Sequence, residues 1–371
     1  MSEKIKYYSL KRILEYNATY NIIFGERSNG KTYAVLKYAF EEYMKTGHQL
    51  AIVRRWDEDF VGAQSARTCY DGLMNNGKGV NDIAKISKGQ YTGVEYYAGR
   101  YYLTVLDETT QKSKRTDKVI ALAFSLTGSE HYKSGSYPNI KYIFFDEFMT
   151  RKFYLPNEFT YWTSIVSTIV RINADVKIFM CANTVNKFNC IYFLEMGLTR
   201  IKNMEKGQID LYTYGQSGTT VAVEYSDGVA KSKPSDVYFA FDNPRLKMIT
   251  QGAWEMDIYP HLPVKYLPKE ILLTYFILYH DETLQCEIIL HEDMLFTYIH
   301  RKTSPIKDTE KDIIYTTEYN ARPNYFRKIT EARTPIQRKI YSFYINDKVF
   351  YQDNEVGEIV RNYLQFCVSD E

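Results

Sequence analysis

The octapeptide Gly25-Glu26-Arg27-Ser28-Asn29-Gly30-Lys31-Thr32 limits what this chain can fold into more than any other stretch. It matches G-x-x-x-x-G-K-[ST]. A β-rich run at 21–24 precedes it, and residues 32–44 follow with apolar side chains at Ala34, Val35, Tyr38 and Ala39, as in a helix. A strand that turns through glycines into a helix can aim successive backbone N–H groups at one point, at the positive end of the helix dipole. Such a nest holds phosphate oxygens, with Lys31 reaching the β- and γ-phosphates and the Thr32 hydroxyl completing a magnesium shell. The octapeptide alone arises by chance, but both flanks here have the structure the chemistry needs. A nucleotide-binding α/β domain is expected.

Three further positions fit the same chemistry. The apolar run at 142–145 ends in Asp146-Glu147. In a phosphate-loop enzyme the aspartate holds Mg2+, commonly through water, and a glutamate at the strand tip polarises the attacking water. A kinase needs no such water activator, so the pair favours hydrolysis. Another apolar run, 177–182, ends at Asn183-Thr184, and Asn183 is the candidate for sensing the γ-phosphate, with Thr184 second. Arg171 closes an apolar, helix-like run. From spacing alone it reads as a helix C-terminal arginine complementing the dipole; the other reading is an arginine that reaches into a neighbouring subunit's site.

Strands at 21–24, 50–53, 142–145 and 177–181 alternate with helical patterns, which implies a mainly parallel sheet between helices. Residues 72–93 and 101–105 read as an inserted loop and an antiparallel hairpin. Residues 1–204 form one expected domain. Glycines and Pro234 then punctuate short strands such as 219–225 in a second region, 205–262. Pro260, Pro263 and Pro268 mark the start of a third region, 263–371, with strand-like runs at 272–279, 285–291 and 294–299 and a closing helix near 355–366.

Charge follows these regions. The chain of 371 residues has 47 Lys and Arg against 45 Asp and Glu, a net +2 that by itself argues against coating nucleic acid by charge. Yet residues 1–204 hold 28 basic against 20 acidic residues, a net +8, and the two later regions are −3 each. The 35 tyrosines could stack on bases, but half-buried packing positions account for them better. The residues following Met1 have no apolar core of a secretory signal, the longest strongly apolar run is only 271–279, and five cysteines show no Cys-x-x-Cys pair. An intracellular protein without membrane spans, disulfides or structural zinc is expected.

Several blocks together resemble the genome-packaging motor ATPases of small tailed, protein-primed bacteriophages, short relatives of large terminase subunits in the additional-strand ring ATPase superfamily. They are the phosphate loop, Val53-Arg54-Arg55, Lys133-Ser134-Gly135-Ser136-Tyr137-Pro138-Asn139, Ile143-Phe144-Phe145-Asp146-Glu147-Phe148, Tyr154-Leu155-Pro156-Asn157-Glu158, Cys181-Ala182-Asn183 and Tyr192-Phe193-Leu194. The resemblance covers most of residues 15–205, and it implies a linker or lid at about 205–262. It implies an ATPase domain acting in a homo-oligomeric, pentameric ring on the portal of a prohead, pumping double-stranded DNA inward, in some relatives with a structural packaging RNA. It implies ATP and Mg2+ at Lys31 and Thr32, Asp146 as the magnesium carboxylate and Glu147 as the base. It places Arg171 as an arginine finger acting in trans, against the reading from spacing. Lys133 falls near the subunit boundary, and Arg54, Lys78, Lys85 and Lys88 are further candidates for inter-subunit or DNA contact. The protein would work in the host cytoplasm, docked transiently on the portal and absent from the mature virion.

The C-terminal region resembles the family's ribonuclease-H-like domain only in architecture. Such a nuclease needs carboxylates converging on two metals, but the strand at 272–279 has none, Asp281 and Glu282 fall in a turn, and Glu287 is alone on its strand. A docking module without nuclease activity is expected. Arg322, Arg327, Lys328, Arg333, Arg338 and Lys339 face only Glu331 across 18 residues, with Tyr325 and Phe326 interleaved. This is either a nucleic-acid patch or a solvated loop face. Rival readings of the whole chain are another phosphate-loop enzyme (a kinase or helicase), or a nucleotide-gated protein that binds DNA or the portal without hydrolysis.

Overall fold

A computed structural model of the chain describes residues 7–27, 29–62, 66–76, 79–107, 109–150, 154–171, 175–184, 190–215, 217–227 and 259–368. The chain divides into two compact units, Met1–Trp254 and Glu255–Glu371.

In the first unit, α1 (Lys11–Leu14) leads to β1 (Tyr20–Gly25), which turns into α2 (Lys31–Thr46) and then β2 (Gln49–Arg54). Two short helices, α3 (Asp71–Met74) and α4 (Asp82–Ile86), precede a meander of β3 (Gly93–Tyr97), β4 (Arg100–Leu106) and β5 (Ser113–Ser125). Next come α5 (Ser129–Tyr132), β6 (Ile140–Asp146), α6 (Glu158–Val170), β7 (Lys177–Asn183), α7 (Ile191–Glu195) and a hairpin of β8 (Ile209–Tyr214) and β9 (Thr219–Ser226).

All nine strands form one sheet in the order β3-β4-β5-β2-β6-β7-β1-β9-β8. The six strands from β5 to β9 pair in parallel, and antiparallel pairs close both edges. Strand β7 lies between β1 and β6, registering Gly25 beside Asn183 and Asp146 beside Cys181. The phosphate loop, Asp146-Glu147 and Asn183 therefore open at one edge, at the carboxyl ends of parallel strands, where open α/β sheets bind ligands.

The alternation of strand side chains sorts the core into two layers. On one face Ile22, Phe24, Ile143, Phe145, Ile178 and Met180 meet Trp162, Ile165 and Ile169 of α6. On the other, Ile23, Ile52, Phe144 and Phe179 meet Val35, Leu36, Ala39 and Phe40 of α2. Burying one such side chain contributes about 1.5–3 kcal/mol, so packing more than intrinsic propensity holds these helices in place. Tyrosines serve this core: Tyr192 is buried, with its ring edge-on to Phe145 at 5.5 Å and to Phe148 at 5.6 Å, and Tyr137 sits edge-on to Phe124 at 5.1 Å.

The structure corrects the linker expected at 205–262. Strands β8 and β9 complete the first sheet, with β9 parallel to β1 and Val221, Ala222 and Val223 buried. An apolar strand beside β1 covers an edge that would otherwise expose unpaired backbone groups. The rest of that stretch, 228–258, lies outside the described residues.

The second unit contains β10 (Ile271–Tyr279), β11 (Glu282–His291), β12 (Met294–Arg301), β13 (Ile313–Thr316), β14 (Tyr325–Phe326), α8 (Pro335–Ile345), β15 (Val349–Tyr351) and α9 (Asn354–Val368). Its sheet runs β14-β13-β10-β11-β12-β15. An antiparallel meander, β10 to β12, is extended by strands parallel to its edges, which is the ribonuclease-H-like arrangement expected. Thr334 caps α8 by accepting from the Gln337 amide, with Pro335 at the first turn. Helix α9 buries Val356, Ile359, Val360 and Tyr363. Among the described residues no helix is long and apolar enough to cross a membrane.

Candidate active site

The phosphate loop needs its glycines for different reasons. A Cβ on Gly25 would run into the Ser226 hydroxyl and lie 2.9 Å from the Ser226 carbonyl oxygen. Gly30 caps α2 at φ 92°, a left-handed conformation that glycine adopts without strain. No side chain of Gly30 competes for the first amides of α2, which suits that helix end to a phosphate.

Lys31 is buried. Its ammonium donates to the Glu26 carbonyl at 2.6 Å and to Asn29 Oδ1 at 3.1 Å. Burial lowers its pKa to about 8, and the negative charges around it, Asp146 and Glu26 among them, offset this only in part. The Asn29 amide donates in turn to the Ser226 hydroxyl at 3.0 Å, linking the loop to the end of β9.

The Thr32 hydroxyl donates to Asp146 Oδ1 at 3.0 Å. Two oxygen groups of the kind Mg2+ selects thus already adjoin each other at the mouth of the loop, so the donor set fits that ion. Burial pushes the Asp146 carboxyl above the usual carboxylate range, with Arg54 pulling it down and Glu147 adding to the rise. Arg54 Nη1 lies 2.9 Å from Glu147 Oε2 and 3.5 Å from Asp146 Oδ2.

Arg54 needs correcting as a candidate for inter-subunit or DNA contact. It is only 6% exposed and points inward from the tip of β2, next to β6, because two site carboxylates there need a counter-charge. Glu147 is mostly exposed, at φ 60°. Its amide donates to the Cys181 carbonyl at 2.8 Å.

Asn183 joins the cluster through its register beside Gly25. Thr184 is buried, and its amide donates to the Gly25 carbonyl at 3.0 Å. Arg171 follows α6 as its exposed C-cap. Among the described residues no hydrogen bond or ion pair joins Arg171 to the loop or to Asp146 and Glu147. Glu26 lies 2.9 Å from Lys206, and Arg27 is exposed. Ser28 and Lys78 lie outside the described residues. Lys133 is exposed and pairs with Glu130 at 2.6 Å, and Lys85 and Lys88 are exposed.

Two functional candidates were not singled out from the sequence. Arg55 and Glu158 form a buried pair directly behind Glu147. Their one signal is that both fall inside the blocks that carry the resemblance.

In the second unit, Arg327, Lys328 and Arg333 line a cleft of about 470 Å³ together with Tyr325 and Phe326. Glu318, outside the counted stretch, adds a carboxylate beside Glu331. Arg322, Arg338 and Lys339 do not line the cleft. Arg322 donates to Thr309 at 3.2 Å and Arg338 to the Arg333 carbonyl at 2.7 Å.

A strand inserted between the phosphate-loop strand and the Asp-Glu strand, with Lys31, Thr32, Asp146, Glu147 and Asn183 at one sheet edge, defines a phosphate-loop NTPase fold of the additional-strand class. Within that class, the chain belongs to the podovirus DNA encapsidation protein (Gp16) family, whose model it matches over residues 2–76 and 108–236. The DNA packaging proteins of Bacillus phages PZA and phi29 are each 26% identical to it over 199 residues, 53% of this chain and 52% of theirs. The chain thus spans about half the length of the curated relatives it matches. In fold it is similar to a chain of the bacteriophage Phi-29 viral genome packaging motor assembly, with a TM-score of 0.59, 20% identity, and coverage of 97% of this chain and 99% of that one.

Proposed function

We propose that this chain is the ATP-hydrolysing motor that drives double-stranded viral DNA into a preformed prohead. The observation that carries the reading is the convergence of Lys31, Thr32, Asp146 and Glu147 at one sheet edge, in a chain of the encapsidation family. Lys31 leaves the Glu26 carbonyl and Asn29 to meet the β- and γ-phosphates. The Thr32 hydroxyl and Asp146 would hold Mg2+, which when bound would supply charge to offset the developing negative oxygens. Glu147 takes the proton of the attacking water, which requires its carboxylate to leave Arg54 or share it. Asn183 orients the water or the γ-phosphate, and Arg171 of a neighbouring subunit stabilises the transferring group.

The working assembly in this reading is a homo-oligomeric, pentameric ring on the portal in the host cytoplasm. It is absent from the mature virion and in some settings assisted by a structural RNA. The second unit serves as a docking module without nuclease activity. In support, Glu287 is buried and engaged by the Tyr266 hydroxyl and the Gln285 amide, which is poor preparation for a metal.

The test is ATPase activity of purified protein, with and without DNA and matching proheads. DNA and proheads are expected to stimulate hydrolysis. Lys31→Ala should abolish it, and Glu147→Gln should keep ATP binding while cutting turnover by about a hundredfold or more. Intact turnover in Glu147→Gln would favour a kinase. Packaging unchanged by Lys31→Ala would leave a protein that binds without working.

A further inference from the structure

Glu147 holds a backbone conformation that costs a non-glycine residue about 1–3 kcal/mol and persists only where neighbours enforce it. Besides the Cys181 carbonyl, which takes the Glu147 amide, two arginines at the end of β2 hold it. Arg54 and Arg55 are consecutive. Arg54 reaches the carboxylate of Glu147, and Arg55 reaches the backbone behind it. Arg55 Nη2 donates to the Phe148 carbonyl at 2.8 Å, and Nη1 approaches the Glu147 carbonyl at 3.4 Å.

Arg55 is itself fixed by Glu158, the first residue of α6. The two-pronged pair has Nε–Oε2 at 2.8 Å and Nη2–Oε1 at 2.9 Å. Glu158 also accepts from the Tyr192 hydroxyl at 2.7 Å and the Leu155 amide at 2.7 Å, and its side chain is 0% exposed. The Arg55 guanidinium lies over the Tyr154 ring at 5.4 Å. A buried ion pair gains little net stability over apolar packing, because desolvation cancels much of the attraction. Its worth must lie in geometry, and the two-pronged form has the most specific geometry available.

We propose that Arg55 and Glu158 are positioning residues for hydrolysis: they lock the Glu147–Phe148 backbone so that the Glu147 carboxylate meets the attacking water. The role rests on the ATPase reading above and deepens it. The hydrogen bonds of Arg55 and Glu158 go to each other, to Tyr192, to the Leu155 amide and to the backbone at Glu147 and Phe148. They act through Glu147, and they tie the catalytic turn to the start of the helix whose other end is Arg171.

The experiment uses the full chain and the variants Arg55→Lys, Glu158→Gln and Tyr192→Phe. Each is made both in the otherwise unmutated protein and in the Glu147→Gln background. Fluorescent ATP analogue binding and single-turnover ATP hydrolysis are measured on each, with circular dichroism to confirm folding. Displacing a catalytic group by about 1 Å costs on the order of a hundredfold. Hydrolysis is therefore expected to fall about ten- to a hundredfold in Arg55→Lys and Glu158→Gln and a few-fold in Tyr192→Phe, with nucleotide affinity held within about threefold.

In the Glu147→Gln background the same changes should have no further effect, since residues acting through one group are not additive. Equal losses in both backgrounds, or binding that falls in step with hydrolysis, would assign the pair a general structural role and overturn the proposal. If Arg55→Lys and Glu158→Gln do not fold, Tyr192→Phe decides: an unchanged rate overturns the proposal. Absence of hydrolysis by the unmutated chain would remove the ATPase reading itself, and the positioning role with it.

Discussion

At the residue scale, Lys31 gives the site a pH dependence whose sign can be worked out. Its folded pKa is lowered from 10.5 to about 8 by burial. The nucleotide-free chain therefore gains stability as pH rises between those values, because the unfolded lysine still holds a proton that the folded one has lost. Nucleotide works in the other direction. Phosphates beside the amine favour its charged form, so binding above about pH 8 must take up a proton. ATP affinity is expected to be flat below that pH and to weaken by up to about tenfold per unit above it. Calorimetry at pH 9 in buffers of different ionisation enthalpy should show close to one proton taken up per ATP, and at pH 7 almost none. Lys31→Arg should abolish the uptake, whatever it does to affinity. A pH-independent affinity would mean that the ammonium stays fully charged in the free site.

Residue identities at this scale were legible because the chemistry is written in types and spacing: a lysine after a glycine, an acidic pair after an apolar run. The partners of those residues were not. Arg54 read as a candidate for inter-subunit or DNA contact, and only the pairing of β2 with β6 brings it to Asp146 and Glu147. Arg55 and Glu158 are 103 residues apart, and no local pattern announces a buried pair at that distance.

At the scale of elements, the strand–loop–helix unit around residue 30 was readable because its signals are local. Strand β5 was missed since its first half alternates among polar, exposed residues and gains its place only by pairing with β4 and β2. Strand β9 was read as part of a linker for a related reason: its partner β1 lies about 200 residues earlier, and parallel pairing leaves no hairpin signal.

Helix α6 has the clearest consequence among the elements. Glu158 anchors its start inside the subunit, while Arg171 ends it exposed. A helix of 13 residues separates the two by about 20 Å, far enough to carry a side chain towards a neighbour. Arg171→Ala is expected to leave nucleotide binding intact and to cut hydrolysis by about 10³-fold or more. Mixing Arg171→Ala with Lys31→Ala subunits should then recover about a quarter of the unmutated rate, if sites in a randomly mixed ring act independently. Mixed rings that recover nothing would return Arg171 to the role of a helix-end charge.

At the scale of the whole molecule, charge divides between the two units as it does between the regions read from sequence. Residues 1–254 hold 33 Lys and Arg against 26 Asp and Glu, a net +7, while residues 255–371 hold 14 against 19, a net −5. The near-neutral total therefore describes neither unit. In the proposed role, a motor that grips DNA of any sequence has only the phosphate backbone to hold, so its grip would depend on counterion release. The surplus on the first unit makes it the part expected to supply that grip. With about three phosphates neutralised per chain, apparent DNA affinity falls about fortyfold between 50 and 200 mM salt. The measurement is the DNA concentration for half-maximal ATPase stimulation across that range. It is paired with basal ATPase at the same salts, so that an effect on the nucleotide site is seen separately. DNA fragments of unrelated sequence should give the same slope. A flat profile, or a slope that changes with sequence, would mean that the positive charge of the first unit serves contacts between proteins, and the DNA grip would have to be sought in the cleft around Arg327, Lys328 and Arg333.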